Sequence, residues 1–153
     1  MNETAITQYI VDNFVGVDVV VASCEDGSPE VAWGDSFFFY DPDRDLAKDR
    51  RMPFATIVTK DYGEFDCASN LNRVGVFRLN IGVSKQTYAA LFGTAADYDF
   101  TALNTIMPHP VYGKMYWVCV LNPRAEEFQA VRSLLAEAYQ LAVGRYANRE
   151  TRA

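Results

Sequence analysis

Histidine and cysteine are scarce in this chain. It has one histidine, His109, and three cysteines, Cys24, Cys67 and Cys119, that lie far apart. A structural zinc site takes about four His, Cys or carboxylate ligands at close spacing, so no metal is assigned. No Cys-x-x-Cys pair occurs, and an odd number of scattered cysteines points to reduced thiols in a cytoplasmic protein rather than to a disulfide framework. Nor is there a run of about 18 apolar residues, so no membrane-spanning helix is expected. The opening residues MNETAITQYIVDNF lack the basic flank and apolar centre of a secretion signal. GxSxG, P-loop and GxGxxG patterns are missing as well, which leaves triad hydrolases and nucleotide-binding loops without support. The two glycines of GVFRLNIG sit at strand edges and read as turn chemistry. No catalytic residue and no cofactor is assigned.

Positive charge is missing from the N-terminal part. No Lys or Arg precedes Arg44, while that stretch holds nine acids; from Arg73 onward nine basic residues stand against six acidic ones. The net charge is −6 and the sequence pI about 4.7. An acidic protein repels phosphate backbones at long range, which disfavours nucleic acid as a partner. A binding patch would have to be built from Arg73, Arg78, Lys85, Lys114 and the C-terminal arginines.

What is present suits a folded domain. Of 153 residues, half are hydrophobic and 14% aromatic, enough for a core without disulfides or metal. Ile6, Tyr9, Ile10 and Phe14 keep helical spacing over Glu3 to Phe14, and Gly16 is placed to stop the helix. Val17 to Ser23 is a β-branched run, hence a strand. EDGSP is a turn, so Val31 to Tyr40 returns as the second strand of a hairpin. Asp41 to Arg51, with four acids and four bases, reads as a mobile loop. Phe54 to Thr59 and Gly75 to Ile81 are further strands, joined by an irregular stretch. In the second of these, Phe77, Leu79 and Ile81 face one way and Val76, Arg78 and Asn80 the other. Ser84 caps a helix through Phe92 that Gly93 closes. Asp97 to Thr105 is expected to form a short helical turn, and Met115 to Leu121 the fifth strand. Asn122 is placed as an N-cap, with Pro123 at the first helical position. The last helix lines up Phe128, Val131, Leu135, Ala138 and Ala142, and residues 147–153 read as a frayed polar tail behind a single domain over 1–146. Short connections between strands favour an antiparallel sheet. The expected class is α+β: two layers, about five strands, covered by N- and C-terminal helices.

Several segments carry a resemblance. GSPEVAWGDSFFFYDPD, PFATIVTKDY, GVFRLNIGVS and MPHPVYGKMYWVCVLNP are similar to an uncharacterised, mainly actinobacterial family, domain of unknown function 6194. More distantly, the opening helix ITQYIVDNFVGV, the strand and helix FRLNIGVSKQTYAALFG, and the closing strand and helix resemble the MmcQ/YjbR-like proteins. That wider resemblance implies a compact frataxin-like α+β arrangement, and DNA binding has been suggested for some of its members. It supplies no catalytic residue to carry over.

Three polar positions stand out on the residues alone. His109 lies between Pro108 and Pro110, where it can act as an acid or base or simply hold a turn. Asp35 interrupts the apolar alternation Val31, Trp33, Phe37, Phe39. It must pair, reach solvent or be displaced by a bulge at Gly34; Arg78 is the natural ion-pair partner. Lys60-Asp61-Tyr62 ends the third strand, followed by Glu64 and Asp66, and strand ends and the loops after them commonly carry binding groups. Together Trp33, Asp35, Lys60, Arg78, Asn80, His109 and Tyr112 form one candidate cleft if strand pairing brings them together. Three functions stay open: a non-catalytic binding or interaction module, which leads; a small-molecule binder or enzyme using Asp35, Arg78 and His109; and DNA binding through the basic C-terminal half. A homodimer through aromatics such as Tyr116 or Tyr139 is compatible with each.

Overall fold

The computed structural model describes residues 1–47, 51–95 and 97–152. Among these residues, six strands form one sheet: β1 Val17–Val21, β2 Ser36–Tyr40, β3 Ala55–Val58, β4 Arg78–Gly82, β5 Met107–Pro108 and β6 Trp117–Leu121. Their spatial order is β1-β2-β3-β4-β6-β5, and every neighbouring pair is antiparallel. The α-helices among the described residues complete the α+β fold: α1 Glu3–Asn13, α2 Lys85–Phe92 and α3 Phe128–Arg152.

The core forms because two periodicities meet. Phe38, Ile57, Leu79, Ile81, Val118 and Val120 alternate along four strands toward one face. Ile6 and Ile10 of α1, with Phe128, Val131, Leu135, Ala138 and Ala142 of α3, cover that face at helical spacing. Caps fix the helix starts. The Asn2 side chain accepts from Ala5 N–H at 2.8 Å, and the Ser84 hydroxyl from Thr87 N–H at 3.1 Å. Tyr139, a candidate dimer contact, is instead half-buried: it stacks on Phe14 and its hydroxyl donates to the Val15 carbonyl at 2.5 Å. Tyr116 is also half-buried and packs edge-on against Tyr88.

Several boundaries differ from the sequence expectation, each for a local reason. The second strand begins at Ser36 rather than Val31, because Gly34 takes a φ of +90° and residues Glu30–Ala32 close a 3-10 turn before it. The closing strand begins at Trp117, since Gly113–Met115 form another 3-10 turn that ends on Tyr116 at φ +67°. Residues 97–105 hold no helical turn among those described. Ala102 N–H bonds Asp99 O, and Leu103 bridges Leu121 in parallel. The sixth strand, β5, is short and lies at the sheet edge, where Pro108 has no ladder N–H to lose. Asn122 is not a helix cap. At φ +42° its amide clamps the entry to β4, accepting from Phe77 N–H at 2.9 Å and donating to Gly75 O at 2.9 Å. Arg124 instead precedes a 3-10 turn, Ala125–Glu127, that leads into α3. That helix runs to Arg152, past Tyr146 where the apolar face ends. Residues 48–50 of the expected mobile loop lie outside the described residues. At its near end Asp41 is buried, and at its far end Arg51 bonds Asp18 at 2.6 Å and Asp41 at 3.2 Å.

Candidate functional site

The other face of the sheet carries no helix core. Residues opposite one another in an antiparallel pair share a face. Register therefore sets Phe37, Thr56, Asn80, Cys119 and Met107 in one row across five strands, with Val58, Arg78 and Leu121 in the next polar-facing row. The irregular segment before β4 and the turn after β5 fold over these rows. Between them lies a cavity of about 340 Å³, lined by Phe37, Thr56, Tyr62, Asp66, Arg78, Asn80, His109, Tyr112 and Trp117 among others.

Arg78 organises the floor. It is 1% exposed, so its charge needs an anion and all five of its N–H groups need acceptors. Asp66 takes two of them in a bidentate pair, at 3.1 Å from Nη1 and 2.5 Å from Nη2. Ser69 Oγ accepts from Nη1 at 3.0 Å and Asn80 Oδ1 from Nε at 2.8 Å. The last group, on Nη2, points at His109 Nε2, 3.1 Å away. Asn80 in turn donates to Thr56 Oγ1 at 2.9 Å, which fixes the amide orientation.

His109 enters from the turn after β5. Its backbone N–H donates to Trp117 O at 2.9 Å, continuing the β5–β6 ladder by one residue. Its ring Nδ1 accepts from the N–H groups of Val111 and Tyr112, both at 3.0 Å, so the imidazole caps its own turn. Burial first, and then the neighbouring Arg78 charge, push its pKa down to about 3, against a smaller opposing effect of Asp66. The ring is therefore neutral near pH 7.

Asp35 does not pair with Arg78 as expected. It is fully buried. Oδ1 accepts from the Thr59 amide at 2.9 Å and hydroxyl at 3.0 Å, while Oδ2 accepts from the Tyr62 hydroxyl at 2.5 Å. Burial, followed by that hydrogen bond, holds the Tyr62 phenol well above its ordinary pKa, so it stays protonated and donates. Asp35 thus reaches the cavity only through Tyr62.

The walls are apolar: Phe37, Met52, Pro53, Val58, Phe65, Met115 and Trp117. Gly82 makes room for one of them. A Cβ there would sit 3.1 Å from the Trp117 indole, so glycine lets the ring lie close across β4. Phe65 and Tyr112 pair edge-on at 6.1 Å along the rim, and Tyr112 leans on the His109 ring at 5.0 Å.

Of the candidate cleft residues, Arg78, Asn80, His109 and Tyr112 line this one cavity. Asp35 stands behind Tyr62. Trp33 and Lys60 lie elsewhere: the indole N–H donates to Ser28 O at 3.0 Å, and the Lys60 ammonium donates to the Trp33 carbonyl. Asp66, Ser69, Thr56, Tyr62 and Trp117 complete the site from outside that candidate group, Tyr62 and Asp66 from the segment at the end of the third strand. The signal for Asp66 was Arg78 itself, a basic residue at an inward strand position that demanded an acid. Asp61, Glu64 and Asp66 all stood in the loop before it, and only the loop's path selects among them. Asp61 turns instead to Leu71 N–H at 2.8 Å.

No group of three or more metal-ligating side chains occurs among the described residues, and no helix is long and apolar enough to cross a membrane. No curated protein and no solved structure matches the chain. Its sequence does match one family over residues 1–151, and the protein belongs to that family of unknown function, DUF6194.

Proposed function

We propose that this protein is a small-molecule-binding domain, with its ligand held in the cavity above Arg78, Asn80 and His109 and no chemical step of its own. One observation carries this: apolar walls around about 340 Å³ converge on a small set of fixed polar groups, the composition and size of an ordinary ligand pocket. The polar groups are engaged with one another rather than poised to react. Asp66 is held by Arg78, Asp35 by Thr59 and Tyr62, and His109 caps a turn as a neutral ring. A cytoplasmic setting agrees with three free thiols. DNA binding has less support than it had from the sequence. Arg78 is buried in an ion pair, and the Arg73 guanidinium is spent on the carbonyls of Ser69, Asn70 and Thr101.

Native mass spectrometry of the purified protein tests this, beside a Met115→Trp variant that narrows the cavity mouth. The expected result is a small molecule retained by the wild type, lost in the variant and recovered chemically unchanged. Equal retention by both proteins would overturn the site, and a recovered product would overturn the absence of chemistry.

A further inference from the structure

His109 poses a hydrogen-bonding problem that the protein does not solve internally. Three N–H donors converge on its ring: Val111 and Tyr112 on Nδ1, and Arg78 on Nε2. A neutral imidazole offers only one acceptor nitrogen, and the other carries a proton. Placing the proton on Nδ1 would set it against two backbone N–H groups held by the turn. Placing it on Nε2 sets it against a single guanidinium N–H on a side chain. The second arrangement is the less costly, so Nε2 carries the hydrogen. Neither Nε2–H nor the facing Arg78 N–H then has an acceptor there; the nearest carboxylate oxygen, Asp66 Oδ2, is 4.0 Å from Nε2. His109 is only 4% exposed, and an unsatisfied buried donor is costly, so this pair favours an acceptor arriving from the cavity.

The rest of the floor has the same bias. Asn80 Nδ2 spends one hydrogen on Thr56 and keeps a second, and the Thr56 oxygen that accepts it has its own proton to give. Donors outnumber acceptors on this side of the cavity. The charge count opposes an anionic guest. Arg78 and Asp66 cancel, His109 is neutral, and the Asp35 carboxylate lies just behind Tyr62. The walls ask for an apolar body.

We infer that the ligand of this cavity is an uncharged, largely apolar molecule that presents a carbonyl-type oxygen to His109 Nε2–H and the facing Arg78 N–H. The inference rests on the binding function proposed above and specifies its ligand class.

The test uses three bicyclic probes of similar size: α-tetralone, the parent hydrocarbon tetralin, and tetralin carboxylate. Affinities come from NMR titration of the ¹⁵N-labelled protein. Because His109 is the only histidine, its ring nitrogens report without ambiguity. The free protein should show a protonated Nε2 and an unprotonated Nδ1. α-Tetralone should bind about tenfold more tightly than tetralin, the scale of one good hydrogen bond, and should alone shift the Nε2 signal. The carboxylate should bind most weakly. His109→Asn supplies the control: its side-chain oxygen can still accept from the turn amides, so the fold persists, but it lacks the Nε2–H. There the ketone should lose its advantage while tetralin binds as before. A proton on Nδ1, tetralin equal to the ketone, or a preferred carboxylate would each overturn the ligand class while leaving a binding cavity. Failure of all three probes to bind would overturn the cavity's binding function itself.

Discussion

On β4, Leu79 and Ile81 enter the helix-covered hydrophobic core, while Arg78 and Asn80 between them enter a face where polar atoms must find partners. The first face is held by area and volume. Burial there is non-directional, and many apolar combinations of the right size would serve. The second depends on direction: four guanidinium hydrogens are held by one carboxylate, one hydroxyl and one amide, and the fifth faces the His109 ring. The difference shows where specific recognition can be built in a small α+β protein. The helix-covered face supplies stability, and the loop-covered face spends part of it to fix polar groups around a cavity.

Breaking one partner on each face separates the two principles most strongly. Arg78→Met leaves the Asp66 carboxylate buried without its counter-ion, at an expected cost of about 3–5 kcal/mol. Leu79→Ala on the opposite side leaves a hole and costs about 2–5 kcal/mol. Magnitude alone does not distinguish them, but rescue does. Adding Asp66→Asn to Arg78→Met should recover much of the loss, because the uncompensated charge disappears. The Leu79 defect should be indifferent to Asp66→Asn, adding to it without coupling. Urea unfolding of the singles and doubles gives the coupling energies. A penalty below about 1 kcal/mol for Arg78→Met would show that water already reaches the ion pair, and the contrast between the faces would collapse.

A second distinction concerns acid. The helix face holds no histidine, so the titration of His109 belongs to the cavity face alone. In the unfolded chain this histidine takes up a proton near pH 6.5, whereas in the folded protein it does so only near pH 3. Between those values the unfolded state binds the extra proton. Stability from this group is therefore fully present above pH 6.5 and is lost as pH falls toward 3, at no more than about 1.4 kcal/mol per pH unit. Carboxylates contribute acid sensitivity of their own, so the informative quantity is the difference between wild type and His109→Asn. The variant should lose less stability between pH 6.5 and pH 4 in thermal melts. Parallel acid limbs would place the wild-type ring in contact with water.

Much of the helix face was legible in the sequence, because period and composition encode it. Ile6 and Ile10, Leu79 and Ile81, and Phe128 through Ala142 repeat at helical or strand spacing, and the α+β class follows from their order. The strand break at Gly34 and the short β5 were less legible. One depends on a positive φ and the other on two residues at a sheet edge, neither of which makes a periodic signal. On the cavity face the inward parity of Arg78 and Asn80 could be read. The partner of Arg78 could not, since Asp35 and Asp66 are equally acidic. Asp35 was captured by Thr59 and Tyr62, a choice made by the path of the chain beyond β3. Trp33 and Lys60 were drawn toward the site by residue type and strand position. Yet the turn at Gly34 ties each of them to backbone carbonyls outside the cavity.

The smallest change that should sharpen the contrast is one methyl group. Gly82 faces the cavity side of β4, and a Cβ there would meet the Trp117 ring at 3.1 and 3.2 Å. Gly82→Ala therefore gains strand propensity but shifts the indole wall by a few tenths of an ångström, for a net cost of about 1 kcal/mol, at the low end of overpacking. Its stability effect should be modest and its optical effect clear. Trp33, the other tryptophan, is partly exposed and bonded to Ser28, so a shift in emission would report Trp117 alone. The helix-side residues of β4 point away, and their packing should stay as it is. Hydrogen exchange at Leu79 and Ile81 should then match the wild type, while tetralin affinity falls because the wall that receives it has moved. If exchange at those two positions rose together with the loss of affinity, the two faces would be mechanically coupled through β4 rather than independently built.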